Sequence, residues 1–126
     1  MTTIAAQRIN LPGQQNWTAI SHSWRGMTSN SDGEWLEIGG YTDRSIQVSG
    51  VLGGATVVVD VSNEETPVAA PGTDPQENPI AISTFPAGYS SACEIIGQGT
   101  RWARARVVGG DGNTFINATI HVKGPK

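Results

Sequence analysis

The stretch that decides the fold class runs from Arg44 to Val61 and reads Arg44-Ser-Ile-Gln-Val-Ser-Gly-Val-Leu-Gly-Gly-Ala-Thr-Val-Val-Val-Asp-Val61. Two β-rich segments flank Gly53-Gly54, and the same pattern recurs around Gly109-Gly110, between residues 101–108 and 113–122. Glycine accommodates the positive φ of tight turns, while β-branched residues favour extended backbone. Each copy therefore predicts a β-hairpin closed by a glycine turn.

Similar short segments with apolar alternation occur on both sides of these two copies, and none shows sustained helical periodicity. The predicted strands begin at Trp17, Glu34, Arg44, Ala55, Ile80, Cys93, Arg101 and Thr114. A chain of 126 residues with this pattern has the length of one domain. We therefore predict an all-β fold: a single-domain β-sandwich or jelly roll of about eight mostly antiparallel strands.

Two segments lack the strand pattern. Residues 1–16 are polar, with a Pro12-Gly13 turn, and predict an extended N-terminal arm. Residues 63–79 are rich in proline and acidic side chains and predict a long loop within the β-sandwich domain at residues 17–126.

Composition excludes several classes of partner. The formal net charge of −3 argues against direct binding of nucleic acid, which requires a positive surface. The longest aliphatic run, Val57-Val58-Val59, is far shorter than a membrane span.

Cys93 is the single cysteine, so no intramolecular disulfide can form.

No catalytic, cofactor or metal site is predicted, and we expect that the chain is not an enzyme. Glu34 and Glu37 are three residues apart on one predicted strand and so point to opposite faces, which prevents their convergence on one bond. His22 and His121 have no neighbouring ligand at metal-binding spacing.

The predicted strand at residues 101–108 carries the most informative side chains. Alternation places Trp102, Arg104 and Arg106 on one face and small apolar residues on the other. Tryptophan and arginine are enriched at interface hot spots, but an ordinary exposed strand face can carry them as well. Both interpretations are open at this point.

Residues 41–63 and 101–113, in this order, resemble segments of small β-sandwich structural proteins of tailed bacteriophages. The resembled proteins are capsid decoration, or cement, proteins. The chain departs from their pattern at Val61-Ser-Asn-Glu-Glu65, where a glycine turn is expected.

The resemblance implies a virion protein on the outer capsid surface, made in the host bacterial cytoplasm, which bridges and stabilises subunits of the major capsid protein without a cofactor. Self-association as a dimer or trimer on the shell is expected from sheet edges. The predicted contact residues are Trp102, Arg104 and Arg106, with Arg8, Ile9 and Leu11 as a second contact. On this interpretation Arg104→Glu leaves the fold intact and weakens shell binding.

Two alternatives use the same scaffold. A phage tail, neck or baseplate component would occur in few copies per particle. A carbohydrate-binding or adhesion module would stack Trp24, Trp35 or Trp102 on sugar rings.

Overall fold

The computed structural model describes residues 3–10, 17–63, 77–97 and 100–125, with the backbone alone at 8–10, 17–18, 77–79 and 125. This part of the chain contains eleven strands and no helix. The strands are β1 (Thr3–Ile4), β2 (Gln7–Asn10), β3 (Trp17–Met27), β4 (Asp32–Gly33), β5 (Leu36–Glu37), β6 (Asp43–Val51), β7 (Thr56–Ser62), β8 (Glu77–Ile82), β9 (Ser91–Ile95), β10 (Trp102–Val108) and β11 (Phe115–Pro125).

The strands form two sheets. Sheet I has the order β1-β4-β10-β7-β8, with β5 also pairing with β10, and sheet II has the order β2-β3-β11-β6-β9. Every pair is antiparallel except β1 with β4. The prediction of an all-β, mostly antiparallel sandwich is confirmed. Within the described residues, eight strands are longer than two residues, and all of them except β2 correspond to predicted strands. The remaining predicted strand, at residues 34–38, is reduced to the two-residue β5.

Both glycine turns connect the two sheets, so the hairpin predictions are wrong. Strand β6 lies in sheet II and the following β7 in sheet I, whereas β10 lies in sheet I and β11 in sheet II. The two copies pair with each other instead: β6 with β11, and β7 with β10. Apolar alternation is satisfied equally by a hairpin and by an arch between two sheets, because in both cases alternate residues face the core.

The two glycine corners lie side by side and share one side chain, that of Thr114. Its Oγ1 donates a hydrogen bond to the carbonyl oxygen of Leu52 in the first corner (2.9 Å) and accepts one from the amide of Asp111 in the second (3.0 Å). A Cβ on Gly53 would lie 2.6 Å from this oxygen, and one on Gly110 would lie 2.5 Å from it. The close approach of the corners therefore requires glycine at both positions.

The core lies between the sheets and is built from the inward residues of the long strands. Trp24 and Met27 of β3 are its largest fully buried apolar side chains, and valine and isoleucine supply most of the rest. Buried positions of β6 and β11 alternate with more exposed ones, as expected for strands with one face on a core, whereas β7 is buried at six consecutive positions.

Residues 3–10 form strands in both sheets, although the sequence predicted an arm separate from the sandwich. Strand β1 pairs with β4 of sheet I, and β2 pairs with β3 of sheet II. Backbone pairing at a sheet edge needs little apolar periodicity, which is why the pattern gave no sign of it. Residues 11–16 and most of the predicted loop lie outside the described residues, and β8 begins within the last three positions of that loop.

We predict that Gly53→Ala destabilises the fold much more than Gly54→Ala. Both glycines have positive φ (59° and 81°), so both substitutions incur the left-handed backbone cost of about 1 kcal/mol. Only the Cβ at position 53 meets neighbours, at 2.5 Å from Asp111 Oδ1 and 2.6 Å from Thr114 Oγ1, whereas position 54 is open. Overpacking should add about 2 kcal/mol at position 53.

Urea unfolding of the two variants beside the parent measures this difference in the free energy of unfolding. Equal losses of stability would show that the corners do not make the close contact described here.

Candidate functional site

The side of sheet I that faces away from the core carries a cluster of four charged side chains, here called the ionic cluster: Asp32, Asp60, Arg104 and Arg106. The strand register brings them together. Arg104 of β10 is opposite Asp60 of β7, and Arg106 is opposite Asp32 of β4. Because Ala103, Ala105 and Val107 face the core, the arginines must project on the other side.

Asp60 is the centre of the ionic cluster. Its Oδ2 accepts hydrogen bonds from Arg104 Nε (3.0 Å) and Arg106 Nε (2.8 Å), and its Oδ1 accepts one from Arg106 Nη2 (3.2 Å). Arg106 therefore holds the carboxylate in a two-point contact. A longer ion pair of 4.0 Å joins Arg104 Nη1 to Asp32 Oδ2.

The ionic cluster is withdrawn from water. The side chains of Asp60 and Arg104 are 0% and 1% exposed, and that of Arg106 is 14% exposed. The guanidinium carbon of Arg104 also lies 4.6 Å from the ring centroid of Trp35, within cation–π distance. The hydrogen bond to Asp60, together with the charges of Asp60 and Asp32, raises the pKa of Arg106 despite its partial burial.

Chemically, the ionic cluster is suited to holding strands together. Two cations and two carboxylates balance formally, and the oxygens of Asp60 are engaged by arginine donors, which leaves this carboxylate poorly placed to act as a base. Buried pairs of this kind contribute little net stability compared with apolar packing, yet the loss of one partner is costly. The cluster thus fixes how β4, β7 and β10 align.

The expectation that Arg104 lies on an exposed face is wrong. Its burial removes it from any surface that could contact a partner without rearrangement, and the same holds for most of Arg106. Trp102 is partly exposed, with the Arg101 guanidinium 5.4 Å from its ring. The signal that sequence reasoning missed is Asp60, a charged residue within a valine-rich strand, which requires a buried cation opposite.

The second predicted contact does not adjoin the first. Arg8 and Ile9 belong to β2 of sheet II, whereas Trp102 belongs to β10 of sheet I. Leu11 lies outside the described residues. The predicted partner role of Arg8, Ile9 and Leu11 stays a prediction.

The outer face of sheet II is polar and carries cross-strand hydrogen bonds between side chains, which the sequence did not predict. Ser21 Oγ contacts His121 Nδ1 at 3.0 Å, and Ser23 Oγ contacts Thr119 Oγ1 at 2.9 Å, each pair directly opposite across β3 and β11. At one end of this face, next to the glycine corners, Val51 and Phe115 are opposite each other and more than half exposed. An exposed aromatic beside an aliphatic side chain is the composition of an interface centre.

A shallow cleft of about 320 Å³ lies at the other end of sheet II, between β6, β9 and β11. Ile95, His121 and Lys123 are among the residues that line it. Arg44 also lines the cleft; it donates hydrogen bonds to the carbonyl oxygens of Tyr41, Thr100 and Ile38, and burial lowers its pKa. These three hydrogen bonds fix the position of the guanidinium at the cleft.

Within the described ranges, no group of three or more histidine, cysteine, aspartate or glutamate side chains is arranged to hold a metal ion. The same residues contain no helix long and apolar enough to cross a bilayer.

No protein-family model matches the chain, and no curated protein matches it. Two solved structures align with nearly the whole chain. PliG of Aeromonas hydrophila, a periplasmic inhibitor of g-type lysozyme, is 13% identical, with 97% of this chain and 96% of that one covered and a TM-score of 0.42. A cupin domain from Bordetella pertussis Tohama I is 11% identical, with 97% of each chain covered and a TM-score of 0.37. Similarities at this level carry no argument about function.

We predict that Asp60→Asn lowers the free energy of unfolding by about 3–5 kcal/mol, because it leaves the buried Arg104 and the partly buried Arg106 without their carboxylate. Arg104→Glu should be at least as damaging, since it places a third carboxylate beside Asp60 and Asp32. This result would reverse the expectation that Arg104→Glu spares the fold.

The matched control is Glu37→Gln, which breaks the exposed ion pair between Glu37 and Arg101 (3.8 Å) and should cost less than about 1 kcal/mol. Thermal and urea unfolding measure all three variants. A loss at Asp60 no larger than at Glu37 would contradict the structural role of the ionic cluster.

Proposed function

We propose that this protein is a non-catalytic decoration protein of a tailed-bacteriophage capsid, which binds the outer surface of the assembled shell and stabilises it by bridging major capsid subunits. The observation that carries the proposal is the resemblance of residues 41–63 and 101–113 to phage structural proteins. These segments supply β6 of sheet II, the adjacent strands β7 and β10 of sheet I, and both glycine corners.

The physical properties of the sandwich suit this role. A shell filled with packaged DNA is stabilised by any ligand that binds the assembled state alone, through mass action repeated at many sites. Such a ligand must keep its shape when the pressure of the packaged DNA acts on the shell to which it is bound. Paired β-sheets around a tightly packed core, pinned by the ionic cluster and by the Thr114 contact, provide a rigid body of this kind.

The proposed shell contact consists of two separate patches, one on β10 of sheet I and one on the outer face of sheet II, as the bridging of two capsid subunits requires. Trp102 is retained because it is partly exposed, and Arg104 is omitted because it is buried. The exposed pair Val51 and Phe115 is added, since an aromatic–aliphatic pair can bury a large apolar area against a capsid subunit. A sugar-binding role loses one of its three platforms, because Trp24 is fully buried.

Copy number separates decoration from the alternatives. In purified particles of the phage that encodes this chain, quantitative mass spectrometry should find the protein at a ratio approaching that of the major capsid protein. A few copies per particle would indicate a tail, neck or baseplate component. Absence from particles would overturn the proposal and favour an adhesion module.

We predict that Phe115→Ser weakens binding to undecorated shells at least tenfold, equivalent to about 1.4 kcal/mol, while the fold remains stable because the side chain is 56% exposed. Val108→Ser is the matched control, since Val108 is also exposed but lies in sheet I, at the end of β10 opposite to Trp102. Co-sedimentation of each variant with shells measures the dissociation constant. Equal binding by both variants and the parent would exclude Val51 and Phe115 from the interface.

A further inference from the structure

Strand β9 is one of the two edge strands of sheet II, and β2 is the other. Strand β9 pairs with β6, and within the described part of the chain no strand pairs with its other side. Two backbone hydrogen bonds establish which groups face β6: Ile96 N donates to Arg44 O (3.0 Å), and Ser90 O accepts from Gly50 N (3.2 Å). Because backbone groups alternate in direction along an antiparallel strand, those of Ser91, Cys93 and Ile95 face the open edge.

This edge has few of the features that prevent strands from associating. Residues 91–95 contain no proline, pair with β6 without a register shift, and are exposed at Cys93, Glu94 and Ile95. The edge strand of sheet I differs, since β8 contains Pro79 and its pairing with β7 is interrupted by a bulge. Proline, bulges and charge are the usual means of blocking an edge, and β9 has only the charge of Glu94.

We propose that β9 pairs with β9 of a second copy of this chain, antiparallel and around a two-fold axis at Cys93. In this register Cys93 is opposite Cys93 of the second copy, and Ser91 is opposite Ile95. All three are positions whose N–H and C=O groups face the open edge, so each strand both donates and accepts at every one of them. The two copies of sheet II then form one continuous sheet across the axis.

The side chains favour a second copy of the chain as the partner of β9. In the two-fold register, exposed apolar side chains become covered and like charges do not face each other. Ile95 and Tyr89 are the most exposed large apolar side chains among the described residues, at 79% and 72%. The two-fold register places Tyr89 of one copy opposite Gly97 of the other, beside the cleft lined by Ile95 and Ile96. At each end of the strand pair, the side chains of Tyr89 and Ile95 therefore lose exposed apolar area. Glu94 is opposite Ala92 and does not face its own copy.

This dimer is independent of the proposed capsid role and is expected whether or not the protein binds a shell. One short strand pair buries less area than a standard interface, so the dissociation constant in solution should be on the order of 100 µM.

Disulfide formation between defined positions tests the register. In a Cys93→Ser background, Ser91→Cys and Ile95→Cys are made as two separate proteins, each with one cysteine. Opposed positions in the pair have Cα atoms about 5.5 Å apart, within disulfide range, whereas position 91 lies about 14 Å from position 91 of the second copy. Under mild oxidation the equimolar mixture should form the mixed dimer at least tenfold faster than either protein alone forms its own dimer. Equal rates would overturn the register.

Sedimentation of the full chain provides a test without cysteine chemistry. The parent, kept reduced, should show concentration-dependent dimerisation that Ile95→Lys weakens at least tenfold, while Glu94→Gln, at a neighbouring exposed position, retains or strengthens it. Circular dichroism confirms that each variant is folded. A parent that remains monomeric at about 1 mM would overturn the proposal.

Discussion

The contact between the two glycine corners is the constraint on which the arrangement of strands depends. Each corner carries the chain from one sheet to the other, and Thr114 ties the second corner to the carbonyl of Leu52 in the first. Once the corners lie side by side, β6 is directed along β11 in sheet II and β7 along β10 in sheet I. The remaining strands add to the outsides of these central pairs, which leaves β9 at an edge.

The ionic cluster contributes to the same arrangement from the side of sheet I. A shift of one residue between β7 and β10 would move Asp60 from Arg104 to an alanine and would turn the valines of β7 away from the core. Both consequences are unfavourable, because a buried carboxylate without its cation is costly. The cluster therefore specifies the register of β7 and β10 more than it adds stability. Arg104, which the sequence suggests as an interface residue, is instead buried in an ion pair with Asp60.

Local pattern predicted the strands well and their partners poorly. The predicted strand starts at Trp17, Arg44 and Cys93 lie within two residues of the observed first residues of β3, β6 and β9. Strand formation depends on alternation and turn residues, which are visible in the local sequence. The hairpins and the exposed face at Arg104 were wrong because both depend on contacts between distant segments. Two-residue strands such as β1 and β4 gave no pattern at all, since their pairing is made by backbone groups that every residue possesses.

The position of β11 has a consequence for how the molecule is made. It is the last described strand to be synthesised, yet it occupies the middle of sheet II, between β3 and β6. Until it leaves the ribosome, the apolar inner sides of β3 and β6 have no strand between them, and a nascent chain must wait with sheet II incomplete. Formation of sheet II is thus expected to follow the synthesis of β11 and to be slow, because the pairing of residues 17–27 with 115–125 closes a long loop.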